Sequence, residues 1–465
     1  MRRMPLLLTT LLVFALSGCG GSSGPWHGNG SDGVPSTPGG FVGNAGDTMV
    51  SLGWVAPTTG TAPFSYEITI TPSGGAQTTI TGTTALITNL SNGVNYTFAL
   101  HAKNTSGQSS DTTLQVQPSA VNTSQYAAIS ISGNPTAGIS EPALLRRASN
   151  DVWLAYTGVQ GSDRSVLLAH STDDGQTFTY VSTRGVAGAA TVTPTDISPC
   201  GNNTCSGRWV YDHAFLVEDA TDPDSTRRFK LFARKYFLYT QGTPAPSYEL
   251  GSIVMWTASA PDSTTWSSEL SLLGWNYTPT ELTPSRIINS LAPALSDCIR
   301  FSGGNAAPYQ GSLDFVLSCT TDLGVQRVVQ LRSSDHTASF SYVATLLDQN
   351  SAAAFGALYF SAPSLLATES AAPLLIATPV INRVINSVAV DAHSGCIAFP
   401  IVDQNGGTLL LNGSQPRALL QIQPIANRLN GNCAWDRGLS GSGMLMGQVD
   451  TNLQQYSILN TAKKL

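Results

Sequence analysis

One segment of this chain returns four times at nearly even intervals, and a fold must accommodate that return. The copies are Ser140-Glu141-Pro142-Ala143-Leu144, Tyr211-Asp212-His213-Ala214-Phe215-Leu216, Leu291-Ala292-Pro293-Ala294-Leu295 and Ser361-Ala362-Pro363-Ser364-Leu365. The steps from Glu141 to Asp212, from Asp212 to Ala292 and from Ala292 to Ala362 are 71, 80 and 70 residues. Most copies lead through a turn into an apolar strand, such as Val152-Trp153-Leu154-Ala155-Tyr156 or Phe229-Lys230-Leu231-Phe232-Ala233. No long amphipathic helical pattern intervenes. A repeat of this length is one supersecondary unit that cannot bury its apolar face alone, so the units must pack on one another. At this period the roughly 340 residues from Tyr126 to the end make about five units, and a five-bladed β-propeller is the expected architecture for 126–465.

A second repeat agrees. Ser171-Thr172-Asp173-Asp174-Gly175-Gln176-Thr177-Phe178 matches the Asp-box pattern S-x-D-x-G-x-T-[W/F]. Ser333 to Phe340 is a degenerate copy without the glycine, and Ser259 to Trp266 is a looser one with its Asp shifted by one position. The pattern describes a hairpin turn whose carboxylate caps amides, whose glycine takes a positive φ, and whose aromatic ring plugs the gap between sheets. With the repeat, these copies make 126–465 resemble the sialidase-type and related glycoside-hydrolase propellers. The resemblance implies a structural role for Asp173, not a catalytic one.

Residues 41–119 have a different rhythm. Short alternating strands, among them Met49 to Trp54, Tyr66 to Ile70 and Tyr96 to Leu100, are broken by turn residues about every ten positions, which suits a small β-sandwich. Trp54 before a Pro-rich turn, Tyr66, Leu90 six residues before Tyr96, and Ala102-Lys103-Asn104 with Gly107 resemble a fibronectin type III module. The resemblance implies a tyrosine-corner role for Tyr96 and a spacer role for the module. The chain is therefore expected to be all-β.

At the N-terminus, Arg2 and Arg3 precede the apolar run Leu6 to Leu16, which is too short to span a bilayer. Leu16-Ser17-Gly18-Cys19 resembles the bacterial lipobox, which implies cleavage and lipidation at Cys19 within a signal of residues 1–19. No Asp follows Cys19, so an outer-membrane or cell-surface anchor is expected, with that lipid as the only membrane attachment. Residues 20–40 are Gly, Ser and Pro with too little apolar surface for a core, and read as a tether reaching about 25 Å.

Export also organises the remaining cysteines. Beyond Cys19 there are Cys200, Cys205, Cys298, Cys319, Cys396 and Cys433. An even set in an oxidising compartment reads as disulfides, and sequence neighbours suggest Cys200–Cys205, Cys298–Cys319 and Cys396–Cys433, although other pairings stay open. Zinc lacks a CxxC and a nearby His pair. Charged residues are only 11% and the net charge is −6, so nothing here favours nucleic acid. No nucleotide, redox or metal cofactor motif is present, and no cofactor is expected.

In such propellers the residues opening each inner strand line the central funnel. The repeat puts Glu141, Asp212, Ala292 and Ala362 there, two carboxyls and two methyls. Paired carboxyls are the minimal equipment for glycoside hydrolysis, about 5–5.5 Å apart in retaining enzymes and about 6.5–9.5 Å in inverting ones. Glu141 and Asp212 are the candidate acid/base pair, with His213, Trp209, Tyr211 and Arg208 as candidate substrate-binding residues. A sialidase would open its first blade with an Arg-Ile-Pro motif; here Glu141 precedes Pro142 and would repel a sialic-acid carboxylate. Arg286, Arg300, Arg327 and Arg383 remain unassigned to any arginine triad. A neutral extracellular glycan fits better. The alternative is a non-catalytic surface propeller that binds a protein or glycan partner, in which the same carboxyls serve backbone amides. A second acidic cluster, Glu218, Asp219, Asp222 and Asp224, followed by Arg227 and Arg228, is either a calcium site or a solvated hairpin tip.

Overall fold

The computed structural model describes residues 33–118, 126–192, 205–239, 250–275 and 286–462, except 47, 63, 82, 149, 369–370, 386–387, 413–414, 426–427, 437–443 and 451–454. The lipobox with Cys19, most of the tether and Cys200 lie outside the described residues. The fold is nearly all-β: a β-sandwich followed by a β-propeller. The one α-helix among the described residues is the single turn Gln349–Ala353.

In the sandwich, strands Gly39–Gly46, Met49–Val55, Thr84–Thr88 and Gln77–Thr81 form one sheet, and Ser65–Thr71, Tyr96–Asn104, Gly107–Gln108 and Thr112–Val116 the other. Trp54, Leu90, Tyr96 and Phe98 are buried between them, and Trp54 meets Tyr66 edge-on with ring centroids 5.1 Å apart. The Tyr96 hydroxyl accepts a hydrogen bond from Ser91 N at 2.9 Å, tying the corner to its own strand.

Among the described residues five larger sheets follow in chain order, besides the two-stranded pair Leu411–Asn412 and Gln415–Pro416, and their inner strands are Gly138–Ala148, Cys205–Glu218, Cys298–Tyr309, Tyr359–Thr368 and Leu429–Ala434. Each inner strand packs against the next, and the last returns to the first. One apolar cluster fills each gap between neighbouring sheets. Trp153 and Val166 meet Leu231 and Val254 between the first and second. Phe215 and Phe232 meet Phe315 between the second and third, and Val316 meets Phe360 and Phe399 between the third and fourth. Leu374 meets Met446 between the fourth and fifth, and Leu445 and Ile458 meet Val152 and Tyr156 between the fifth and first. The ring is closed by pairing Ala127–Ala128 onto Gln455–Asn460, so a strand from the start of the domain completes the last sheet.

Two Asp-boxes superimpose in their bonding. Asp173 accepts from Ser171 Oγ, Thr177 N and Thr177 Oγ1, and Asp335 accepts from Ser333 Oγ, Ser339 N and Ser339 Oγ. Phe178 and Phe340 sit in the gaps before their own sheets. Thr337 takes the place of Gly175, both at φ 81. The loose copy at Ser259–Trp266 is not built this way: its turn is pinned by Ser263 Oγ, which accepts from Thr265 N.

Disulfides Cys298–Cys319 and Cys396–Cys433 form as expected. The first joins neighbouring strands of the third sheet, and the second staples the fourth sheet to the inner strand of the fifth.

Candidate functional site

The five inner strands share one device that the repeat only partly disclosed. Each loses register against its neighbour at a bulge, between Ser140 and Ala143, Asp212 and Phe215, Ser302 and Gly304, Ser361 and Ser364, and Gly431 and Cys433. The extra residue is left-handed every time: Glu141 at φ 54, His213 at 49, Gly303 at 59, Ala362 at 44 and Asn432 at 53. A bulge bends the strand and turns one residue out of the ladder, and here it points five residues at a common axis. The approach is close. A Cβ built on Gly303 would lie 2.8 Å from Ala362 Cα and 3.4 Å from His213 Cδ2.

Two corrections to the repeat follow. In the second sheet the residue equivalent to Glu141 is His213, not Asp212. In the third it is Gly303, because Ala292 stands before the short 3-10 turn Pro293–Leu295, ahead of the inner strand. Asn432, the fifth member, has no counterpart in the aligned segments. The readable signals were Gly303-Gly304 and Gly431-Asn432 inside strand patterns, since Gly and Asn there mark bulges.

Glu141, Asp212 and His213 meet as a charge network, with ligand atoms within 4.8 Å of one another. Glu141 Oε2 accepts from Thr157 Oγ1 at 2.7 Å and from His213 N at 2.9 Å, across the gap between the first two sheets. His213 Nδ1 lies 3.0 Å from Asp212 Oδ1 and 3.5 Å from Glu141 Oε1. These are charge contacts, since the ring nitrogen has no partner at hydrogen-bonding angles. Asp212, 4% exposed, receives a bidentate pair from Arg234, Nε to Oδ1 at 2.8 Å and Nη2 to Oδ2 at 2.6 Å. Burial pushes the Asp212 carboxyl up, but Arg234 and then His213 outweigh it and hold it well below the usual carboxylate range. Burial pushes His213 down, and Glu141 and Asp212 more than reverse that.

The two carboxyls are close enough for a retaining glycosidase, but what surrounds them is not. A general acid must hold a proton near neutral pH, and Asp212 holds none. A nucleophile needs an open face, and both Asp212 oxygens face Arg234. The cavity at the axis, bordered by Glu141, His213, Gly304, Ala362 and Asn432, measures about 20 Å³. That is room for about one water, against several hundred Å³ for an ordinary ligand pocket.

The expected binding residues scatter. Tyr211 is core: 7% exposed, its hydroxyl donates to Glu269 Oε2 at 2.8 Å, and its ring packs near Trp256. Arg208 pairs with Asp163 at 2.6 Å. Trp209 is half-buried, edge-on to Phe237, with the Lys235 ammonium 5.0 Å over its ring. The four unassigned arginines do not converge. Arg286 reaches the carbonyls of Thr337 and Ala338, Arg327 pairs with Asp297, Arg383 donates to Arg428 O, and Arg300 lies on the third inner strand.

The acidic cluster is a hairpin tip that is solvated at Pro223 and Asp224 but closed at its base, where a cation of the protein already sits. Asp219 and Asp222 are buried, and Lys230 Nζ fills the space between them at 3.0 and 2.6 Å, with Arg227 O as its third acceptor. Glu218 pairs with Arg147, and Asp224 caps the turn at Thr226 N. Lys230, inside an apolar strand pattern, was the overlooked partner.

Residues 36–119 match the family model for the fibronectin type III domain. No curated protein matches the chain. Among solved structures, it is similar to the Hadza microbial sialidase Hz136 (13% identity, 81% of this chain and 65% of that one, TM-score 0.39). It is also similar to a thermostable family-43 glycoside hydrolase (9%, 71% and 91%, TM-score 0.40) and to the GH93 alpha-L-arabinofuranosidase of Fusarium graminearum (12%, 73% and 87%, TM-score 0.37). The chain spans less than two thirds of the Hadza sialidase.

Proposed function

We propose that this is an exported, lipid-anchored binding protein whose propeller recognises a neutral extracellular glycan, and that Glu141 and Asp212 hold the ring together and do not cut the glycan. One observation carries the second half: Asp212, buried and ionised, is closed off by the bidentate Arg234 guanidinium. The glycan class rests on the Asp-box resemblance and on a composition poor in charge, with Trp209 and Arg208 as the expected binding residues. The lipobox at Cys19 and the Gly/Ser/Pro tether support an envelope anchor, and the sandwich acts as a spacer.

The test is a glycan array probed with the mature chain, run beside a panel of neutral glycosides. Binding without turnover, weakened by Trp209→Ala, is expected. Turnover that disappears in Glu141→Gln would restore the hydrolase reading. Absence of glycan binding, with capture of a defined surface protein instead, would replace the glycan with a protein partner.

A further inference from the structure

The hub is electrically balanced with nothing to spare. Two carboxylates, Glu141 and Asp212, face one guanidinium, Arg234, and one imidazole, His213. With His213 protonated the four charges cancel. A second histidine, His393, enters from the fourth sheet. Its Nε2 is 3.2 Å from Ser361 Oγ, the residue just before the bulge at Ala362. Its Cβ would lie 3.1 Å from a Cβ built on Gly431, the residue just before the bulge at Asn432. His393 is thus wedged between the bulges of the fourth and fifth inner strands, and electrostatically it feels His213.

We propose that this hub is an acid-sensitive lock, in which a second imidazolium at His393 has no carboxylate left to face and loosens the ring where the inner strands meet. Among the described residues no carboxylate lies within 4.0 Å of the His393 ring nitrogens. From the first sheet Glu141 already serves His213 N and Thr157 Oγ1. From the second, Asp212 serves Arg234. On the strand of His393 itself, the carboxylate of Asp391 is solvent-exposed and turned to the Tyr359 hydroxyl, from which it accepts at 2.9 Å. From the fifth, the neighbour is Gly431, which carries no charge.

The direction in pH follows. Burial first, and then the His213 charge, depress His393 from the ordinary imidazole value to about 4. The unfolded chain therefore binds this proton more readily than the folded one, and stability falls as pH drops from about 6.5 towards 4. His213 is shifted the other way, so its contribution is complete in acid and is lost as pH rises through its raised value. The lock is tightest between the two. It is independent of what the propeller binds.

The experiment compares thermal unfolding of the mature wild-type chain and of His393→Gln between pH 7.5 and 4.5. The wild type should lose stability relative to the variant by about tenfold in the unfolding equilibrium by about pH 5.5. Parallel curves would overturn the proposal. Should the variant fail to fold, imidazole resonances of the wild type decide: His393 should stay neutral down to about pH 5, and titration near 6.5 without loss of structure would overturn it equally.

Discussion

Arg146 Nε lies 2.6 Å from Asp436 Oδ2, a contact that joins the first inner strand to the chain just beyond the last. The same guanidinium reaches Asp174 Oδ1 in the first Asp-box turn at 2.5 Å. One side chain thus ties an Asp-box to both ends of the ring. All three partners are mostly buried, so removing the cation takes an ion-pair partner from two carboxylates in a low-dielectric seam. Arg146→Met should destabilise the propeller by about 2–4 kcal/mol. Urea unfolding would measure it, and a loss no larger than that of an exposed ion pair would show that the closing strand Ala127–Ala128 suffices.

Two positive-φ positions, one in the hub and one in an Asp-box turn, make opposite demands of their residues. Gly303 has a positive φ and no room for a methyl group, because the nearest atoms are Ala362 backbone at 2.8 and 3.1 Å. Backbone cannot swing aside, so Gly303→Ala should cost several kcal/mol or prevent folding. Thr337 is the reverse case: a β-branched residue at φ 81 where the other Asp-box has Gly175. Thr337→Gly should stabilise the protein by about 1 kcal/mol through relief of that conformation. It gives up a buried methyl and the contact of Thr337 Oγ1 with Met255 Sδ. An unchanged or lower melting temperature would mean those contacts outweigh the strain.

These positions also show what a sequence discloses. Glu141-Pro142 and Ala362-Pro363 were found because proline after a bulge leaves a visible dipeptide. Gly303 was missed because Leu291-Ala292-Pro293 imitates that dipeptide some ten residues early, in a segment that folds as 3-10 turns. The all-β class and the two disulfides were legible because strand alternation and cysteine spacing are local. The state of Asp212 was not, because Arg234 comes from the neighbouring strand, 22 residues away. The same holds for Lys230, which looks like a breach in the apolar strand Phe229–Tyr239 until Asp219 and Asp222 are placed beside it.

The Asp-boxes should give the acid limb of stability a second component, below that of the hub. Hydrogen bonds from Thr177, side chain first and then backbone, and from Ser171 hold Asp173 at about 2. Asp335 is raised by burial but lowered further by the bonds from Ser339 and Ser333. Both are depressed, so their stabilisation is complete above the ordinary carboxylate value and fades as pH falls from about 4 towards 2. Asp173→Ala should remove part of that slope and cost about 1 kcal/mol at neutral pH, as for a lost capping side chain. Denaturant titrations at pH 7, 4 and 2.5 would resolve it.

A large single-residue effect is expected at Lys230, for a reason that separates breaking a buried pair from deleting it. Lys230 has no exposed surface and gives its ammonium to Asp219, Asp222 and Arg227 O. His336, from the Asp-box of the third sheet, touches Asp219 Oδ2 at 2.9 Å, so the cluster also bonds two sheets. Lys230→Met leaves two carboxylates facing each other without a cation and should cost about 3–5 kcal/mol. Lys230→Met with Asp219→Asn and Asp222→Asn removes the charges together, and neutral amides can still accept some of the remaining donors. The triple variant should therefore recover at least half of the loss, since the desolvation penalty of the ions disappears with their attraction. Equal destabilisation in the single and triple variants would mean that the geometry of the turn around Asp222 and Asp224, and not the charge, is what the cluster supplies.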